Sequence, residues 1–197
     1  MNHQASGFAM GITVGLAMMQ LEALMRRPEA TYRVQLNPAW ENTLKVIKGD
    51  KLVAQWVAKK YLPWELRIAD VDGDGLPEIA IGVVRKTKYT PVVHRCLFIY
   101  RFDGKEIRKK WLGSSMGRPL LEFDFGPAEA KGAPLFTLEH TLDHRVALSR
   151  WHWMGFGFRK QKFERVFSHA SGLRVHGKTL IIDADSQRIT IPLEETQ

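Results

Sequence analysis

Cysteine is almost absent from this chain of 197 residues, in which Cys96 is the single example. One thiol excludes an intramolecular disulfide framework and any zinc site that needs several thiolates. The sequence also lacks a phosphate-binding loop, a nucleophile elbow, a zinc-ligand pair and a dinucleotide-binding glycine fingerprint. Because these local signatures of common enzyme classes are missing, we predict that the protein is not an enzyme.

Acidic residues are fewer than basic ones, with 21 Asp and Glu against 29 Lys and Arg and a formal net charge of +8. Basic clusters fall at residues 59–60, 85–88, 108–110 and 159–162, where hairpins are predicted and solvated faces are usual. A basic surface would suit lipid head groups or nucleic acid, but net charge governs solubility and encounter rather than partner identity. We expect protein partners rather than nucleic acid; a soluble nucleic-acid binder driven by the charge of +8 is a third hypothesis, which predicts an affinity that falls steeply with salt.

Charge is also missing from most of the N-terminal segment, since residues 5–25 contain no Lys, Arg or Asp and one acid, Glu22. As a helix, this segment would be about long enough to cross the ~30 Å hydrocarbon core of a bilayer. Gly7, Gly11 and Gly15 would line one face and allow close packing against another helix. We predict a hydrophobic helix within residues 1–28, which fits a membrane anchor, a docking helix or a signal peptide.

Short alternating runs of apolar and polar residues follow Pro28, separated by Gly, Asp and Pro turns, and they predict β-strands. The pattern recurs about every 55 residues, as Trp56, Trp111 and Phe167 illustrate. Hairpins are predicted at residues 45–56 and 99–111, whereas the third copy, residues 157–167, has lost the turn glycine.

A period of this length with about four strands is typical of a β-propeller blade, but only two full periods fit between Trp56 and Phe167, with partial copies at either end. The predicted fold is therefore all-β: a short or incomplete β-propeller-like array of about 55-residue repeats over residues 29–197, preceded by the N-terminal helix.

The most distinctive motif is the acidic loop at residues 70–78, which separates two predicted strands. Carboxylates occupy its first, third and fifth positions, a glycine at the sixth permits a sharp turn, and Glu78 stands at the ninth. Such a set of oxygen ligands suits Ca²⁺. A standard EF-hand would instead close with Glu at the twelfth position and have helical flanks, and this loop has neither.

The stretch ADVDGDGLPEIAIGV, residues 69–83, resembles the FG-GAP or VCBS repeat of integrin α-chain propellers and many bacterial surface proteins. The resemblance implies a propeller architecture and a loop that binds Ca²⁺. It also implies the ligands, which would be Asp70, Asp72, Asp74, the carbonyl of Leu76, and Glu78. The matching positions after Asp124 and Asp183 lack the full pattern, so one metal site is predicted.

Together these features predict a non-enzymatic, calcium-binding structural or interaction module. We expect an accessory subunit of a membrane-associated assembly, located outside the cytoplasm, in the periplasm or at the cell surface. Its partners would be other protein subunits, bound through the N-terminal helix and the sheet edges. The alternative is a carbohydrate-binding or carbohydrate-active surface protein that uses the aromatic strip at residues 151–153 and acids such as Glu139.

Overall fold

The computed structural model describes residues 21–37, 43–57, 62–88, 91–113 and 116–196, which form fifteen strands and one short 3-10 helix. The strands are β1 (Leu21–Arg27), β2 (Ala30–Asn37), β3 (Thr43–Lys48), β4 (Lys51–Val57), β5 (Leu62–Ala69), β6 (Glu78–Arg85), β7 (His94–Phe102), β8 (Ile107–Leu112), β9 (Leu120–Phe125), β10 (Leu135–His140), β11 (Val146–Trp153), β12 (Phe158–Phe167), β13 (Ala170–His176), β14 (Thr179–Ala184) and β15 (Gln187–Pro192). The 3-10 helix is Leu193–Thr196.

Consecutive antiparallel strands form four sheets in a propeller arrangement. Sheet 1 contains β1–β4, sheet 2 contains β5–β8, sheet 3 contains β9–β12, and sheet 4 contains only β13–β15. The first strands of successive sheets are neighbours, because β1 contacts β5, β5 contacts β9 and β9 contacts β13. The all-β, propeller-like prediction is therefore confirmed.

The middle strands of sheet 2 are buried on both faces. On β6, Ile79, Ile81 and Val83 pack into the core shared with sheet 1, while Ala80 faces the core shared with sheet 3. Successive side chains of a strand point to opposite faces, so a strand that lies between two cores is apolar at every position. This placement explains the uninterrupted apolar run at residues 79–84.

Three hydrophobic cores join the four sheets in a row: one between sheets 1 and 2, one between sheets 2 and 3, and one between sheets 3 and 4. Each fully buried large side chain contributes roughly 1.5–3 kcal/mol of transfer free energy, so these cores supply most of the attraction between sheets. No hydrophobic cluster of described residues joins sheet 4 to sheet 1. Within that part of the chain, the array is held together as an open series.

The predicted N-terminal helix is wrong over Leu21–Arg27, which forms strand β1 and pairs with β2. Met25 is fully buried in the first core, whereas Leu24 is 59% exposed, so the side chains alternate as in a strand. Pairing with β2 satisfies the hydrogen bonds of the backbone. Residues 1–20, with the rest of the predicted helix, lie outside the described residues. Among those described, no helix is long and apolar enough to cross a bilayer.

Among the described residues, the copy at the N-terminal end is a complete four-stranded sheet rather than the partial one predicted, whereas the copy at the C-terminal end has three strands. The first two predicted hairpins are the pairs β3–β4 and β7–β8. The third copy has no hairpin at the same place, because Phe158–Phe167 is the single strand β12. The turn lies earlier, where the Met154 N–H donates to the Gly157 carbonyl at 2.8 Å.

Candidate metal centre

The acidic loop connects β5 to β6, and its conformation is set by Asp70. The two carboxylate oxygens of Asp70 accept hydrogen bonds from the N–H groups of Gly73 and Gly75, at 2.8 and 2.9 Å. Both glycines have positive φ, at 75° and 81°, a region that side chains with a Cβ adopt at a cost. The alternation of Asp and Gly therefore folds the loop around the first carboxylate.

Three of the predicted carboxylates meet in this loop. Asp70, Asp72 and Glu78 each place one ligand oxygen within 4.8 Å of the others. Glu78 is fully buried, and its Oε2 accepts a hydrogen bond from the Val71 N–H at 2.9 Å. Asp72 Oδ1 is buried, and none of the described residues donates a hydrogen bond to it. One buried oxygen of the group, Asp72 Oδ1, is therefore available as a metal ligand.

Asp74 lies outside this group. Its carboxylate accepts a hydrogen bond from Arg101, and its Oδ1 accepts a second from the Leu76 N–H at 2.8 Å. Leu76, the residue predicted to offer its carbonyl, lies in the same loop, two residues before the strand that begins with Glu78. The structure brings together Asp70, Asp72 and Glu78 and directs Asp74 toward an arginine on β7.

A lysine that the sequence did not single out occupies the centre of the group. Lys110, on β8, donates from Nζ to Asp72 and, at 2.6 Å, to Glu78 Oε1. Its side chain is only 13% exposed, so this member of the basic cluster at residues 108–110 faces the interior rather than solvent. Arg101 Nε also lies 3.9 Å from Glu78 Oε1. No local motif signals either residue, because they reach the loop from neighbouring strands.

The buried carboxyl group of Glu78 needs a nearby positive charge to stay ionised. Burial raises the pKa of Glu78, and the nearby charge of Asp72 raises it further. The hydrogen bonds from Lys110 and from the Val71 N–H act in the opposite direction and favour the carboxylate. A buried carboxylate is costly without a charged partner, so Lys110 stabilises the loop when no metal ion is bound.

The loop packs directly against sheet 3. The Ala133 N–H donates to the Asp70 carbonyl at 2.6 Å. Gly132 has a φ of 93°, and a Cβ at this position would lie 2.1 Å from the Val71 carbonyl oxygen. The backbones of the two sheets therefore approach so closely that only glycine fits. A change in the conformation of the acidic loop would therefore alter the packing between sheets 2 and 3.

The corresponding acids of the other copies have different partners. Asp124, on β9, accepts hydrogen bonds from Arg67 Nε and the Val175 N–H, both at 2.8 Å. It therefore links strands of sheets 2, 3 and 4. Asp183 forms an exposed ion pair with Arg188 at 2.9 Å. Both carboxylates are engaged in contacts that hold strands together.

The residues on which the carbohydrate alternative depended are mostly interior. Trp151 and Trp153 are 8% and 7% exposed, and the Trp153 ring packs edge to face against Phe158 with centroids 5.3 Å apart. Glu139, on β10, is 1% exposed, and within the described ranges no group donates a hydrogen bond to its Oε1. Burial raises the pKa of Glu139 to about 7. The aromatic strip thus fills space between sheets, with little ring surface open to a sugar.

Comparisons with protein-family models, curated proteins and solved structures found no match for this chain. The propeller arrangement is therefore established by the four sheets themselves. No comparison supports membership of the FG-GAP or VCBS family, and the resemblance is limited to the sequence of the acidic loop.

Proposed function

We propose that this protein is a non-enzymatic interaction module in which a calcium ion stabilises the loop between β5 and β6. The observation that carries the proposal is the convergence of Asp70, Asp72 and Glu78, together with the buried and unpartnered Oδ1 of Asp72. Oxygen ligands of this kind suit a hard divalent cation. A buried acceptor without a donor costs roughly 1–3 kcal/mol, which a bound cation would remove.

The local charge supports the same proposal. Four carboxylates, those of Asp70, Asp72, Asp74 and Glu78, face two cationic side chains, those of Lys110 and Arg101. The formal balance leaves two negative charges in excess. Because Lys110 donates to two of the three converging carboxylates, a divalent cation and the ammonium group compete for the same oxygens.

A bound Ca²⁺ would be held by Asp70, Asp72 and Glu78, and its role would be to fix the loop rather than to activate a substrate. Since the loop packs on residues 132–133, the ion would strengthen the contact between sheets 2 and 3. Outside the cytoplasm calcium is abundant enough to fill loops of modest affinity. We therefore propose an extracytoplasmic setting.

The sheet edges are the proposed surfaces for partner subunits. β15 is the outer strand of a three-stranded sheet and pairs with β14 alone among the described strands. An edge strand offers free backbone donors and acceptors, which a strand from another protein can use. Membrane association and the role of an accessory subunit stay predictions, since residues 1–20 lie outside the described residues.

The direct test is isothermal titration calorimetry of the purified full chain with CaCl₂ at constant ionic strength. We expect one site in the wild-type protein and at least a tenfold loss of affinity in Asp72→Asn, which keeps the size of the side chain and removes its charge. Asp50→Asn is the matched control, because Asp50 is exposed in the β3–β4 turn. Absence of calcium uptake by the wild type, or an equal loss in the control, would overturn the proposal.

A further inference from the structure

A cavity of about 540 Å³ opens beside the acidic loop, between sheets 2 and 3. Its lining includes Asp72, Lys131, His152, Trp153, Met154 and Arg159. These residues come from three places in the fold: the β5–β6 loop, the loop before β10, and the β11–β12 turn with its flanking strands. The cavity therefore forms only when the sheets pack together.

Two cations in this cavity have no acidic partner. Within the described part of the chain, neither Lys131 nor Arg159 takes part in an ion pair or a side-chain hydrogen bond. Burial lowers the pKa of His152, and the charges of Arg159, Lys131 and Arg150 lower it further, while Glu129, the partner of Arg150, raises it. Arg159 and Lys131 therefore both act on this imidazole. A neutral imidazole offers hydrogen bonding without adding charge.

The one acid in the lining does not cancel this charge. Asp72 is already paired with Lys110, whose Nζ lies 5.7 Å from the centre of the Trp153 ring. The charge of Asp72 is therefore balanced by Lys110. Lys131 and Arg159 remain as a positive pair at the cavity.

From this arrangement we infer that the cavity binds a carboxylate side chain presented by an acidic segment of a partner protein. Lys131 and Arg159 would supply the charge, and His152 would supply a hydrogen bond. Apolar surface for the rest of such a segment lies in the same turn, where Met154 is 38% exposed and Phe156 is 85% exposed. Trp153 is only 7% exposed, so an open ring face for stacking a sugar is not offered.

The inference goes beyond the proposed calcium site and does not require it. It can be tested with a fluorescein-labelled hexaglutamate peptide, whose anisotropy is measured against the full chain at 0.15 M salt in EDTA. We expect saturable binding that is about tenfold weaker in the double variant Lys131→Met/Arg159→Met. The double variant Lys162→Met/Lys178→Met loses the same charge at exposed positions outside the cavity, and we expect a change of less than about twofold.

Three outcomes would overturn the inference. One is no saturable binding of hexaglutamate, and another is an equal loss in both double variants, which would mean that the net charge of +8 alone attracts the peptide. The third is binding of a hexagalacturonate that depends on Lys131 and Arg159 while hexaglutamate fails to bind, which would indicate an acidic polysaccharide. Because EDTA is present throughout, failure of the calcium titration would leave these results unaffected.

Discussion

Replacing Lys110 by methionine distinguishes the role of the Lys110 ammonium group in the acidic loop from that of a bound calcium ion. The ammonium group donates to Asp72 and Glu78, and Glu78 is fully buried. Breaking a buried ion pair by removing one partner typically costs about 3–5 kcal/mol. We expect the lower end, about 3 kcal/mol, because Glu78 keeps its hydrogen bond from Val71 and can take up a proton. Methionine preserves most of the apolar stem, so the loss reports mainly on charge.

The assay is urea unfolding of the wild type and of Lys110→Met, in EDTA and in saturating CaCl₂. In EDTA the variant should lose about 3 kcal/mol of unfolding free energy. In saturating calcium the difference should shrink, because the variant lacks the competing ammonium group and binds the ion more tightly; a Kd about thirtyfold lower than that of the wild type would reduce the difference by about 2 kcal/mol, to about 1 kcal/mol. The calorimetric affinity for calcium should also rise, since the competing ammonium group is gone.

Lys109→Met is the matched control, because Lys109 is the exposed neighbour on β8. Its stability should stay within about 0.5 kcal/mol of the wild type in both conditions. If Lys110→Met were as stable as the wild type in EDTA, the ammonium group would not be neutralising Glu78. If its calcium affinity were unchanged or lower, the ammonium and the metal ion would not share the same oxygens.

Two further predictions concern buried positions. Burial raises the pKa of Glu139 from 4.5 to about 7, so the folded protein favours the protonated carboxyl. The contribution of Glu139 to the free energy of unfolding is therefore fully present below pH 4.5 and is lost as the pH rises through 7. The free energy of unfolding of Glu139→Gln, measured by urea titration, should therefore rise by roughly 3 kcal/mol relative to that of the wild type between pH 4.5 and pH 8. A difference between the two proteins that stays constant with pH would contradict this. Gly132→Ala should cost at least about 3 kcal/mol through its contact with Val71, whereas Gly177→Ala, with positive φ but open space, should cost about 1–2 kcal/mol in the same assay.

Local patterns carried much of the prediction. The acidic loop was recognisable because the alternation of Asp and Gly at residues 70–75 sets both the turn and the carboxylate positions. The strands of sheet 2 were recognisable because β6 and β7 lie between two cores and are apolar on both faces. These features depend on residues that are close together in the sequence.

Features that depend on distant pairings were missed. Lys110 lies 32 residues after Glu78, on another strand of sheet 2. The sequence of the acidic loop does not determine the register of that strand. The strand β1 was predicted as a helix because residues 5–25 have little charge, yet β2 fixes Met25 in a core. In sheet 3 a register shift between Ser149 and Trp151 accompanies the long β12, so the third repeat departs from the spacing of the first two.

Because the three cores lie in a row, the sheets at the two ends of the array should unfold more easily than those in the middle. Among the described residues, sheets 2 and 3 each pack against two hydrophobic cores, whereas sheet 1 and the three-stranded sheet 4 each pack against one. In a linear series of this kind, opening starts at the termini and moves inward, as in solenoid proteins. The acidic loop lies at the central contact, so the ends can fray and reclose while its oxygens stay in place.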